Sequence, residues 1–325
     1  MSGRRVAFAA TCVAAVAVIA AVFAASAMRA GDSGPGPSVT AAIKVGDLLA
    51  VGLDADRPQS VGRVVVVPGD RPLAARRVTA LTCKRVAFAA GSGICLAERR
   101  KFPTRTYSAR FFDADQRVRG SVPVNGFPSR TRVSPGGRLA ASTTFVRGDS
   151  YAQAGTFSTR TVIFDARRAK TIAHLEDFTV TRGGKRLKSV DFNYWGVTFD
   201  GDGGRFYATL ATGDHHYLIR GDVGRRSAEV VRDGVECPSL SPDGTRIAFK
   251  ARIGDPFLWR LHVLDLRSGR EIEIPIPHAF DDQAEWLDDD RLAYDRNQVV
   301  MSVKADGSGP PTTFLPEGGS AAAVR

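Results

Sequence analysis

Residues 236–274 read ECPSLSPDGTRIAFKARIGDPFLWRLHVLDLRSGREIEI, and this stretch narrows the fold more than any other in the chain. It holds four short apolar runs, each too brief for a stable helix, separated by turn-forming clusters. The first run ends at Ser239-Leu240 and meets a tight turn at Ser241-Pro242-Asp243-Gly244. A second spans Arg246 to Lys250, a third passes through Trp259, Leu261, Val263 and Leu264, and a fourth covers Glu271 to Ile274. Four antiparallel strands of this kind form one small sheet with two apolar faces. Such a sheet cannot cover either face alone, so copies must stack around it.

The pattern returns along the chain. Residues 282–315 place Leu287-Asp288-Asp289-Asp290 at the turn, residues 195–232 place Asp200-Gly201-Asp202-Gly203 there, and residues 130–175 place Ser134-Pro135-Gly136-Gly137. Asp200, Ser241 and Asp288 are 41 and 47 residues apart, within the roughly 40–50 residues of a propeller blade. Insertions around 148–158 and 179–189 account for the longer gap after Ser134. Residues 79–124 and 45–78 carry weaker copies. Six units predict an all-β, six-bladed β-propeller over residues 43–325, with the tail 318–325 returning to the first unit near Ile43 to close the ring. Ile247, Ala248 and Phe249, and equally Leu292, Ala293 and Tyr294, are expected in strands covered on both faces. Abundant turn formers, with Gly at 33 and Pro at 17, suit that architecture better than long helices.

The run Cys237-Pro238-Ser239-Leu240-Ser241-Pro242-Asp243-Gly244-Thr245-Arg246-Ile247-Ala248-Phe249 resembles the WD40-like repeat of TolB propellers, P-x-W-S-P-D-G followed by a short strand, with Leu240 at the Trp position. Arg132-Val133-Ser134-Pro135-Gly136-Gly137-Arg138-Leu139-Ala140 is a second, eroded copy. The resemblance implies a TolB-like propeller in which Ser134, Pro135, Ser241, Pro242, Asp243 and Gly244 shape turns. It covers the propeller alone, because no room remains before it for the α/β domain that TolB carries.

Ahead of the repeats, Ser-Gly-Arg-Arg at 2–5 precedes an unbroken apolar run from Val6 to Met28. A basic start followed by such a run reads as an export signal. Ala25-Ser26-Ala27 offers a cleavage site, while 23 apolar residues also exceed the roughly 20 needed to span a bilayer core. The segment 1–30 is therefore a signal peptide or a signal-anchor helix, and 31–42 a flexible linker. Both readings place the propeller outside the cytoplasm, secreted or held on the cytoplasmic membrane.

Cys83 and Cys95 bracket two strand-like runs around Gly91-Ser92-Gly93, so a hairpin there would bring them together across its strands. In an oxidising compartment they are expected to form a disulfide, with Cys237 left as a buried thiol.

The net charge of +11 favours anionic partners. Arginine is nonetheless scattered, with doublets such as Arg99-Arg100 and no basic stripe interleaved with aromatics, which argues against a nucleic-acid binder. Peptidases with related propellers carry a separate hydrolase domain with G-x-S-x-G, which is missing from this sequence. His215-His216 would point to opposite faces of a strand and cannot easily share a metal. The Asp-rich turns at Asp200/Asp202 and Asp288/Asp289/Asp290 resemble fragments of calcium loops without completing one. Asp113, Asp165 and Asp265 each follow a third-strand run and read as turn formers. Trp195, Trp259 and Trp286 read as core or blade-interface residues. Glu236 and Gln283, just before their units' first strands, are the candidates for a ligand-binding channel mouth.

The resulting expectation is a monomeric, non-enzymatic binding or scaffold propeller at the cell envelope, without a cofactor. Its partner would be a protein, a peptide or a wall component, with membrane contact through an uncleaved N-terminal segment. The alternative is a propeller hydrolase or lyase using channel-facing carboxylates, with calcium as its cofactor.

Overall fold

The computed structural model describes residues 42–52, 61–73, 76–148, 157–201, 204–276 and 281–325. The signal or anchor segment 1–30 and nearly all of the linker 31–42 lie outside the described residues. The described residues belong to the compact unit Val39–Arg325.

The described strands assemble into six separate sheets, one for each repeat, antiparallel except for one parallel pair in blade 4. Blade 1 contains β1 (Asp47–Gly52), β2 (Arg63–Pro68) and β3 (Arg77–Thr82), and blade 2 contains β4 (Arg85–Ala89), β5 (Ser92–Lys101), β6 (Thr104–Phe112) and β7 (Val118–Val124). Blade 3 runs from β8 (Phe127–Val133) through β9 (Leu139–Arg147) and β10 (Ser158–Asp165) to β11 (Lys170–His174). A hairpin, β12 (Thr179–Arg182) and β13 (Lys185–Leu187), precedes blade 4, which is β14 (Asn193–Phe199), β15 (Arg205–Thr212), β16 (His215–Asp222) and β17 (Ser227–Arg232). Blade 5 is β18 (Glu236–Leu240), β19 (Arg246–Ile253), β20 (Asp255–Asp265) and β21 (Glu271–Glu273). Blade 6 is β22 (Glu285–Trp286), β23 (Arg291–Arg296), β24 (Val299–Lys304) and β25 (Thr312–Leu315). The last strand, β26 (Gly318–Ala323), leaves blade 6 and pairs with β1, placing Leu49 opposite Ala322. The ring is thus closed by the tail, as the sequence predicts, and β1 has no open inner edge.

Two unit boundaries differ from the sequence reading. Residues 79–82 belong to the outer strand of blade 1 and not to blade 2, because β3 pairs antiparallel with β2, with Thr82 opposite Arg63. The insertion at 179–189 is a hairpin whose β12 runs parallel to β17, widening the sheet of blade 4 to six strands.

The inner strand of each blade touches those of its two neighbours, so β26, β4, β8, β14, β18 and β22 surround a common axis. Each second strand has a buried middle, mostly apolar: Ile247, Ala248 and Phe249, like Leu292, Ala293 and Tyr294, are all buried. Outer strands are more exposed, and from Arg119 onward β7 exposes every second residue. Each seam between adjacent blades has its own apolar core, for example Leu139, Ile163, Tyr194 and Phe206 between blades 3 and 4. Cores of this kind also fill the other five seams. Trp195, Trp259 and Trp286 are buried, and the Trp286 indole donates to the Ser239 carbonyl across the seam between blades 5 and 6 (2.8 Å).

Cys83 and Cys95 are disulfide-bonded, with Cα atoms 5.4 Å apart, and Cys237 is a buried free thiol. The placement differs from the hairpin pairing expected. Within the β4–β5 hairpin the residue opposite Cys95 is Val86, while Cys83 lies in the connection from blade 1. The bond therefore joins the end of one blade to the second strand of the next.

The turn motifs share one hydrogen-bonding scheme. Ser241 Oγ accepts from the Arg246 amide (3.0 Å), and Ser134 Oγ accepts from the Leu139 amide (3.0 Å). The Gly244 amide donates to the Ser241 carbonyl and the Gly137 amide to that of Ser134. Asp243 accepts from the Thr245 amide and from Ser241 Oγ, and these bonds hold its carboxyl down at a pKa of about 2 although its burial opposes that.

Candidate binding face

Alternating strand direction gives the ring two distinct ends. The upper end carries the starts of the inner strands and the loops between second and third strands. The lower end carries the Ser-Pro-Asp-Gly turns and the loops between third and fourth strands.

Charged side chains fill the axis. From β8, Arg130 Nη1 lies 3.4 Å from Asp282, and Arg132 pairs with Glu285 of β22. Glu285 also accepts from the Ala323 amide (3.3 Å) and from Arg325 (3.4 Å), fastening the tail. Lys250, with a side chain 1% exposed, reaches Asp281. Burial opposes the charged forms of both. The opposite charge across the pair prevails, keeping the Asp281 carboxyl below and the Lys250 ammonium above its ordinary value. Burial, with Arg325 nearby, lowers Arg132 to about 10. Beside these ion pairs are two cavities of only about 30 and 40 Å³, room for a few waters at most. Glu236, Asp281, Asp282 and Glu285 each face an arginine or lysine, which suits them to holding blades together.

Glu236 begins and Gln283 just precedes the inner strand of its blade, at the upper end of the ring. Glu236 is 1% exposed and takes Arg252 Nε at 2.5 Å and Trp259 Nε1 at 3.0 Å. Gln283 lines the small axial cavity and donates to the carbonyls of Gly196 (3.2 Å) and Pro238 (2.6 Å), bridging blades 4 and 5. Sequence reasoning missed Arg130, Arg132, Lys250 and Glu285. For Arg130, Arg132 and Glu285 the available signal was a charge within the first strand of a repeat, where an inward side chain must reach the axis; Lys250, in a second strand, carried no such signal.

Adjacent His215 and His216 do diverge. His215 stacks on Tyr217 and meets Asp233 at 2.5 Å, whereas His216 turns inward against Trp195. Burial lowers the His216 pKa despite Glu236 nearby. Asp265 accepts from the Arg267 and Ser268 amides, Asp165 from Arg167 and Arg168, and Asp113 from Arg117, as turn formers should. Asp288 likewise accepts from the amides of Asp290 and Arg291, and Asp200 pairs with Arg205 at 2.9 Å. Asp202 lies outside the described residues. Among the described residues no group of three or more His, Cys, Asp or Glu is disposed to hold a metal ion.

The upper end also carries a groove of about 400 Å³ where blades 3 and 4 meet, lined by Phe157, Asp191, Phe192, Asn193, Thr212 and His216. Asp191 shapes its rim: Ser189, Thr212 and the Gly213 amide all donate to it, and these bonds lower its pKa to about 2. Apolar exposure is lopsided in the same direction. Among the described residues ten large apolar side chains are exposed, and Val61, Phe102, Phe127, Val146, Val190, Val231 and Leu258 all lie at the upper end.

No family model matches the chain, and neither does any curated protein. Among solved structures, TolB from Acinetobacter baumannii matches with a TM-score of 0.57 at 16% identity, over 86% of this chain and 67% of that one. A putative TolB from Agrobacterium tumefaciens gives 0.52 at 12% identity, over 84% and 90%. A chain of a nidogen/laminin complex gives 0.55 at 13% identity, over 85% and 97%. These likenesses establish the fold, a TolB-like six-bladed propeller.

Proposed function

We propose that this chain is an extracytoplasmic propeller that binds a protein or peptide partner over its upper end, as a scaffold at the cell envelope and not as a catalyst. The observation that carries the reading is the coincidence of seven exposed apolar side chains and the 400 Å³ groove on one end of the ring. Apolar exposure collected on one face marks an interaction surface, whereas scattered exposure does not. Two further facts support it. The disulfide suits an oxidising compartment, and one of the similar folds was solved in a complex named for two proteins.

Site-specific photocrosslinking in living cells tests this. A crosslinker at Val190, on the upper end, should trap a discrete protein partner, and one at Val45, on the lower end, should not. Equal trapping from both positions, or none, would count against the assignment. Turnover of a panel of esters, lactones, peptides or glycans, with or without calcium, would establish the hydrolase or lyase alternative instead.

A further inference from the structure

The loop between β5 and β6 is held at the tip of a hairpin that outgrows its blade. Every residue from Arg99 to Thr106 is exposed, and Phe102 at the tip is 99% exposed. Four cations surround that ring in sequence: Arg99, Arg100, Lys101 and Arg105. The hairpin's one carboxylate, Glu98, sits nearly buried at its base and gathers Lys84 (3.2 Å), Arg100 (3.1 Å) and Arg105 (3.8 Å). One charge cannot balance three. Cross-strand register puts Arg99 opposite Thr106 and Lys101 opposite Thr104, and neither cation has a carboxylate within ion-pair distance among the described residues.

The base is fixed while the tip is free. Tyr107 packs edge-on against Phe127 of blade 3, with ring centroids 5.9 Å apart, and Cys95 ties β5 to blade 1. Phe127 is itself half-exposed beside Val146 and Arg147 at the top of blade 3. The result is a convex, cationic finger with an anchored base and an aromatic ring at its apex.

Cations alone would suit any polyanion. A ring held wholly in water at the apex adds a second requirement, a partner with an apolar layer behind its negative charges. An anionic bilayer has that order, phosphates outermost and acyl chains beneath, and a convex tip needs no matching pocket to reach it. We propose that the hairpin around Phe102 docks on an anionic lipid surface, with Arg99, Arg100, Lys101 and Arg105 on the headgroups and the Phe102 ring below them.

Vesicle co-sedimentation of the ring tests the idea, since its cores and closing strand all lie within Val39–Arg325. Vesicles of 30:70 phosphatidylglycerol and phosphatidylcholine should pull it down at low salt far better than phosphatidylcholine alone. Each headgroup contact is worth about 1 kcal/mol, so the R99S/K101S pair should weaken binding roughly 25-fold and flatten its salt dependence. Phe102→Ser should weaken it roughly tenfold. Phe102→Trp should retain binding and shift its emission to the blue on the anionic vesicles. Thermal melts confirm that each variant is folded. Equal binding to both vesicle types would overturn the proposal, as would no binding, or full binding by Phe102→Ser, which would reduce the finger to a generic polyanion site.

Discussion

Cys83 and Cys95 are bonded across a blade boundary: Cys83 ends blade 1, where its amide donates to the Gly62 carbonyl, and Cys95 lies in the second strand of blade 2. The two blades it joins are those with the weakest repeat signal. A covalent tie there stabilises the part of the ring that sequence regularity specifies least.

Removing that tie with C83S/C95S, or reducing it, is expected to cost about 3 kcal/mol, the chain-entropy value for a loop of this size. The melting temperature should fall by roughly 5–10 °C. Calorimetry with and without reductant measures this. An unchanged melt would mean that the seam packing alone holds blades 1 and 2 together.

Glu285 joins three elements: Arg132 of blade 3, the Ala323 amide of the closing strand, and Arg325. Glu285→Ala leaves a buried guanidinium without its counter-charge, a change that costs about 3–5 kcal/mol in comparable sites. Glu285→Gln keeps an acceptor and should lose less. Denaturant melts of the two variants rank them, and an alanine variant as stable as the parent would show that the axial network is not structural.

Much of this ring was legible in the sequence because its second strands repeat an apolar run after a turn whose chemistry is local. Ser241 and Asp243 satisfy the backbone within five residues, so their spacing survives as a motif. The Cys83–Cys95 geometry was not legible, since a hairpin and an interblade tie place those residues at the same separation. The axis was harder still. Arg132 and Glu285 are 153 positions apart, and only ring closure makes them neighbours. The Phe102 finger hid for a different reason: Arg99-Arg100 looks like any basic doublet until the register shows Arg105 folded back beside it.

Gly196 is a backbone position that tolerates no side chain. Its φ is +65°, and a Cβ there would lie 2.8 Å from the Cys237 Cα of the neighbouring inner strand. Gly196→Ala should cost about 2 kcal/mol or more, from crowding added to left-handed strain. Gly234→Ala is the control, with φ +77° and open space around it, and should cost only about 1–2 kcal/mol. Equal losses in thermal melts would show that crowding between blades 4 and 5 is not the constraint.

Asp295, near the upper end of β23, has a pKa raised to about 6, chiefly by burial and then by the neighbouring Asp282 charge. In the unfolded chain an aspartate titrates at about 4. The folded state therefore prefers the protonated acid. Its contribution is fully present below about pH 4 and is lost as pH rises through about 6, so at neutral pH the ionised group weakens the fold. Asp295→Asn removes that charge and retains an acceptor for the Gln298 amide (3.1 Å). The variant should gain about 1–2 kcal/mol at pH 7.5, allowing for the solvent the carboxyl still sees, and nothing at pH 4. Denaturation curves at both pH values decide it: a gain of equal size at both would assign the effect to packing and not to ionisation.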